Sequence, residues 1–190
     1  MLKRLSDLAA DYYYRNEDLQ YQTKEIYQYA FFVILGNLYF FLLCIVAGII
    51  FGIIREMMIF SVSFALIRQF AGGFHANKEW KCDIISALIV LSNAVVLKYG
   101  QILLKDHVIL TIFFCCSVLI AILSPVDSLE KPLTQKEKRS FKRTSSIFVL
   151  IAFSIVTLSY VIKHIIILPC CMGLITEALL LILGKISQKT

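Results

Sequence analysis

The chain alternates long apolar runs with short polar islands, and this alternation sets the first expectations. Residues 1–15 place Leu2, Leu5, Leu8, Ala9 and Tyr12 on one helical face and Lys3, Arg4, Asp7 and Asp11 on the other. That pattern predicts an amphipathic helix lying on a membrane surface. Asn16 fits an N-cap, with Glu17 and Asp18 in the first turn of a second helix. This second helix runs into Tyr27, Tyr29, Phe31 and Phe32, aromatic residues of the kind that gather at a lipid interface. Residues 29–54 then carry no charge over 26 positions, enough for one tilted crossing.

Arg55 and Glu56 interrupt the apolar pattern, and the uncharged run 57–67 that follows has only 11 residues. It is either a re-entrant element or a crossing that buries Arg55 and Glu56 near one face. A polar island, 68–83, precedes a short apolar run at 84–97 and a polar stretch at 98–106. Residues 107–126 form a clear span that Ser124-Pro125 ends, because proline disfavours helix in the residue before it. A basic loop is predicted at 127–143, with Lys131, Lys136, Lys138, Arg139, Lys142 and Arg143. Two further spans, 144–162 and 164–184, flank Lys163. The expected fold class is therefore all-α: a polytopic helical membrane protein with about six membrane segments, one or two of which are re-entrant in the alternative reading. It forms a single membrane-embedded domain over 1–190, with 1–28 as an amphipathic cytoplasmic region.

Composition agrees with this reading. Of 190 residues, 59% are hydrophobic and 17% charged, against roughly half and a quarter in soluble domains. Residues 1–29 carry nine charges and no apolar core, so no cleavable leader is expected. If the short runs cross, lysines and arginines divide fifteen to four between the two sides. The positive-inside rule then places both termini, 68–83 and 127–143 in the cytoplasm. Because the net charge of +6 resides in loops flanking spans, it reports topology, and nucleic acid is not an expected partner. The partner implied by the apolar runs is the lipid bilayer.

Candidate chemistry concentrates in the island. Five cysteines, Cys44, Cys115, Cys116, Cys170 and Cys171, lie in apolar runs and behave there as small hydrophobes. Cys82 is different: Lys81 and Asp83 flank it, and His75 follows Gly72-Gly73 just upstream. A thiol and an imidazole are the side chains that a cysteine nucleophile and its base require. On a straight helix, positions seven apart are roughly 10 Å apart along the axis, too far for a hydrogen bond. Gly72-Gly73, with Asn77, offers a turn that folds the His75 segment back over Cys82. Lys81 and a helix N-terminus nearby would favour the thiolate. Two close ligands are too few for structural zinc, so neither metal nor cofactor is expected.

The pattern Arg68…Gly72-Gly73-Phe74-His75-Ala76 followed by Cys82 resembles the signature of the accessory gene regulator B (AgrB) family. Span layout and the segment Ser124-Pro125-Val126-Asp127…Lys131-Pro132-Leu133 extend the resemblance over nearly the whole chain. Where the family often has Pro-Asn-Lys-Pro, this chain has Leu129-Glu130-Lys131-Pro132. The resemblance implies a bacterial cell-membrane endopeptidase that turns a small precursor peptide into a cyclic quorum-sensing signal. It assigns Cys82 as nucleophile, His75 as base, and Arg68 and Gly73 as support, with Gly72 beside them. The same family carries acidic precursor tails, for which Lys136, Lys138 and Arg139 are candidate contacts; a homodimer is the expected assembly. A transporter or peptide exporter using Arg55, Glu56 and Arg68 as pathway residues is the alternative from another class, and a structural membrane scaffold is a third. Both of these predict that the Cys82 sulfur is dispensable.

Overall fold

The computed structural model describes residues 2–16, 24–74, 79–103, 106–126, 134–161 and 167–187. Among these the protein is helical: α1 (Leu2–Asn16), α2 (Lys24–Phe51), α3 (Ile54–Ala71), α4 (Glu79–Leu103), α5 (Asp106–Leu123), α6 (Gln135–Val161) and α7 (Ile167–Ser187). Two compact units are present, Met1–Leu43 and Cys44–Thr190.

In the first unit, α1 follows the amphipathic expectation, with Leu5, Leu8 and Tyr12 exposed along its apolar face. Glu17 and Asp18, the expected first turn after an Asn16 cap, lie outside the described residues. Asn16 is the last residue of α1, and α2 begins at Lys24, whose ammonium pairs with Asp11.

In the second unit, α2 stops earlier than its apolar run. Gly52 takes a left-handed φ of 70°, its N–H donates to the Ile49 carbonyl at 3.2 Å, and the Ile53 N–H donates to the Gly48 carbonyl at 2.8 Å. This glycine-centred C-cap satisfies the last carbonyls and turns the chain directly into α3. Glu56 lies in the first turn of α3, where the helix dipole favours a carboxylate. Arg55 and Glu56 contact each other at 3.3 Å.

Among the described residues four helices are long and apolar enough to cross a membrane: Lys24–Phe51, Trp80–Gly100, Gln135–Tyr160 and Ile167–Ser187. The short run 84–97 is thus the middle of a 25-residue helix, because Glu79–Asp83 upstream are helical as well. Helix α3, at 18 residues, is about 27 Å long, close to the thickness of a hydrocarbon core. His107–Leu123 is a shorter apolar helix.

Helix α7 is the core. Its apolar window is 72% buried, against 22% for α4 and α6, so α7 lies inside while the others turn a face outward. It runs parallel to α3. Gly173 meets Phe60, Ser63 and Phe64, and further along Gly184 meets Gly73 and Phe74. Asn93 of α4 and Thr176 of α7 are buried and bonded at 3.3 Å. Phe113 of α5 stacks on Phe153 of α6 at 6.1 Å, and Ser124 meets Ser145 at 2.7 Å, so α5 and α6 are antiparallel.

Small residues let helices approach closely where lipid supplies little driving force for packing. A Cβ on Gly173 would lie 2.9 Å from the Ser63 Cβ and 3.0 Å from the Phe64 amide nitrogen. Gly173→Ala gains up to about 1 kcal/mol of helix propensity but incurs about 1–3 kcal/mol of overpacking. It should therefore lower the unfolding midpoint in detergent. Gly36→Ala, where a Cβ meets nothing within 4 Å, should hold or raise it.

Candidate active site

The island 68–83 is not one loop. Arg68–Ala71 complete α3 and Glu79–Asp83 begin α4, so helix ends flank a short connection. His75, Lys78 and Asn77 lie in 75–78, outside the described residues. Cys82 is the fourth residue of α4, half-buried, and forms no disulfide. At that position the aligned peptide dipoles favour negative charge. Trp80 is 57% exposed, and the Lys81 ammonium lies 5.7 Å from its ring centroid.

Gly72–Phe74 is held by Arg68. Its Nη1 donates to the Gly72 carbonyl at 3.0 Å and its Nη2 to the Phe74 carbonyl at 2.7 Å. The guanidinium fork thus bridges two carbonyls of a chain that has just left the helix. Both glycines are required by this path. Gly72 has a φ of 77° and its missing Cβ would collide with the Val126 carbonyl; Gly73 has a φ of 134° and its Cβ would occupy the place of Arg68 Nη1. The Phe74 N–H donates to the Leu180 carbonyl at 3.0 Å, and the Val126 N–H donates to the Ala71 carbonyl at 2.9 Å. Gly72 and Val126 form an isolated parallel bridge.

The charge on Arg68 is answered by Glu177 of α7, with Nη1 and Oε2 3.7 Å apart. Glu177 is fully buried, while the Arg68 side chain is 19% exposed. Removing one member of a buried pair typically costs about 3–5 kcal/mol, because the other charge is left uncompensated. Sequence reasoning passed over Glu177. The available signal was a lone carboxylate inside an otherwise apolar span, which by default marks a functional position.

Lys136, Lys138 and Arg139 lie on a helix, not in a loop. Thr134 and Glu137 form a capping box that starts α6: the Thr134 N–H and hydroxyl donate to Glu137 Oε2 at 2.9 and 2.8 Å, and the Glu137 N–H donates to Thr134 Oγ1 at 3.3 Å. Residues 127–133 lie outside the described residues. Phe70, two residues beyond Arg68, contacts Phe141 at 6.0 Å and stacks on Phe148 at 5.4 Å. The start of α6 therefore lies at the same end of the bundle as the clasped turn. Val126, just past α5, and Gly184, in the last turn of α7, lie there too.

A half-buried thiol at a helix start, a clasped turn leading to a histidine, and a basic helix end suit acyl transfer to a thiol near an interface. Among the described residues no group of three or more His, Cys, Asp or Glu is placed to hold a metal.

Comparison with known proteins shows the family. The family profile described as Accessory gene regulator B matches residues 6–182. AgrB-like protein 2 of Clostridium perfringens is 24% identical over 171 residues, covering 86% of this chain and 79% of the relative. AgrB-like protein 1 of the same species is 28% identical over 169 residues, covering 84% and 87%. Protein FsrB of Enterococcus faecalis is 25% identical over 169 residues, covering 83% and 70%. No solved structure matches the chain.

Proposed function

The chain belongs to the accessory gene regulator B family, and on that premise we propose that it is a membrane cysteine endopeptidase that cleaves and cyclises a small precursor peptide. The observation that carries this reading is the Arg68 clasp on Gly72 and Phe74, which fixes the chain immediately before His75 and at the bundle end where α4 presents Cys82.

In the proposed reaction His75 takes the thiol proton and the Cys82 sulfur attacks a peptide carbonyl near the precursor's C-terminus. The tetrahedral oxyanion collapses, the C–N bond breaks, and the proton passes to the departing amine. The C-terminal fragment leaves, and the remainder stays on Cys82 as a thioester. A cysteine thiol within the bound precursor then attacks that thioester, closing a thiolactone and restoring the Cys82 thiol; a serine would close a lactone. Exchange of one thioester for another needs little driving force, but water must be kept from the acyl-enzyme.

The basic start of α6 supports recognition of an acidic precursor tail, since Lys136 and Arg139 are exposed there and Lys138 is half-buried. Positive charge also supports a cytoplasmic position for this end of the bundle and for both termini. A transport pathway through Arg55, Glu56 and Arg68 finds less support. Arg55 and Arg68 are 13 positions apart on one helix, about 20 Å along its axis, and Arg68 is committed to the turn.

Cys82→Ala and His75→Ala should each abolish precursor cleavage in liposomes while inserting normally. Substantial cleavage by either would remove the nucleophile–base assignment. Reversing Lys136, Lys138 and Arg139 to glutamate should raise KM about tenfold with kcat little changed, taking about 0.5 kcal/mol for each of the three charges. An unchanged KM would limit these residues to setting topology. For orientation, an impermeant maleimide should label a single cysteine at position 55 in intact cells, and one at 138 only after lysis. Labelling of 138 from outside would reverse the assigned sidedness.

A further inference from the structure

Glu177 has no part in the reaction described above, yet its burial demands a reason. It is 0% exposed, it lies in the central helix, and neither carboxylate oxygen accepts a hydrogen bond among the described residues. Packing does not call for a carboxylate, because an apolar side chain of similar size would fill the space without the desolvation penalty. Among the described residues its one close charge is Arg68 Nη1, at 3.7 Å from Oε2.

The geometry shows what that charge acts on. Residues 173, 177, 180 and 184 follow a spacing of four, three and four, which forms one stripe along a helix. At three of these positions α7 touches the path of α3 and its exit: Gly173 against Phe60–Phe64, the Leu180 carbonyl on the Phe74 N–H, and Gly184 against Gly73 and Phe74. Glu177 occupies the fourth, midway, and reaches the same exit through Arg68. Two guanidinium nitrogens are already fixed on the carbonyls of Gly72 and Phe74. A carboxylate beside the fork therefore biases its plane without competing for those hydrogen atoms.

We infer that Glu177 is a positioning residue of the peptidase site: by holding the Arg68 guanidinium it fixes the Gly72 and Phe74 carbonyls, and so the chain directly before His75, the proposed base. This rests on the reading of His75 and Cys82 as base and nucleophile. Glu177 acts through Arg68 and touches no reacting atom. A group that sets the approach of a base affects the chemical step more than substrate binding, and misplacement by about 1 Å costs up to about a hundredfold in rate.

The test uses the full chain in liposomes with a synthetic precursor peptide, comparing wild type, Glu177→Gln, Glu177→Asp, the double variant Arg68→Met with Glu177→Met, and Cys82→Ala. Glu177→Gln should lower kcat by tenfold to about a hundredfold, with KM within threefold of wild type. Glu177→Asp should recover part of the loss. The double variant replaces the pair with apolar side chains of similar length, a change that buried ion pairs tolerate in folding terms. It should insert and melt like wild type yet show kcat no higher than Glu177→Gln. If Glu177→Gln or the double variant keeps kcat within threefold of wild type, the inference is overturned. Should Glu177→Gln fail to insert, the double variant decides alone. Cleavage by Cys82→Ala would instead overturn the peptidase reading, so the two failures are distinguishable.

Discussion

A guanidinium inside a helix bundle built for lipid is tolerated only if its charge is balanced and its planar N–H groups find acceptors. Arg68 meets both conditions with Glu177 on one side and the carbonyls of Gly72 and Phe74 on the other. Much of the surrounding structure follows from this. The chain must leave α3 abruptly for its carbonyls to face back toward Arg68, so Gly72 takes a φ that other residues rarely adopt. Gly73 must lack a side chain because the guanidinium occupies that space. Helix α7 must come close enough to deliver both a carboxylate and a backbone acceptor, which the absence of a side chain at Gly184 permits.

The central helix thereby combines two tasks usually given to different elements. It is the most buried helix of the bundle, and one stripe of it supports the turn that precedes the proposed base. Other helix ends gather around this support, α5 through Val126 just past it and α6 through Phe141 and Phe148 against Phe70. The proposed chemistry thus sits where helix termini converge, with backbone groups free to bond to side chains or substrate.

Much of this was legible in the sequence. Uncharged runs of spanning length made the helical membrane fold plain, and Ser124-Pro125 marked the end of α5 correctly. Boundaries were less visible wherever polarity and helicity coincide. Arg68–Ala71 and Glu79–Asp83 look like loop because they are polar, but helix ends at an interface are polar too. The start of α6 was signalled by Thr134 and Glu137, a capping pair hidden among lysines and arginines. Gly52 alone marked the break within an unbroken apolar run. Arg68, Gly72 and Gly73 were singled out beforehand, but their link to Glu177 joins positions 109 apart in the chain. No local pattern encodes such a partnership.

The seat of the turn on α7 has a consequence for how the protein can be taken apart. Residues 68–83 contain the proposed nucleophile and base, and they resemble a portable cassette. The turn Arg68–Phe74 at its start, however, is seated on Glu177, on the Leu180 carbonyl and on the missing side chain at Gly184. A cassette moved into another scaffold would carry the reactive groups and leave behind the surface that shapes them. Within this architecture the transferable unit is the α3–α7 pair, two helices separated by half of the chain.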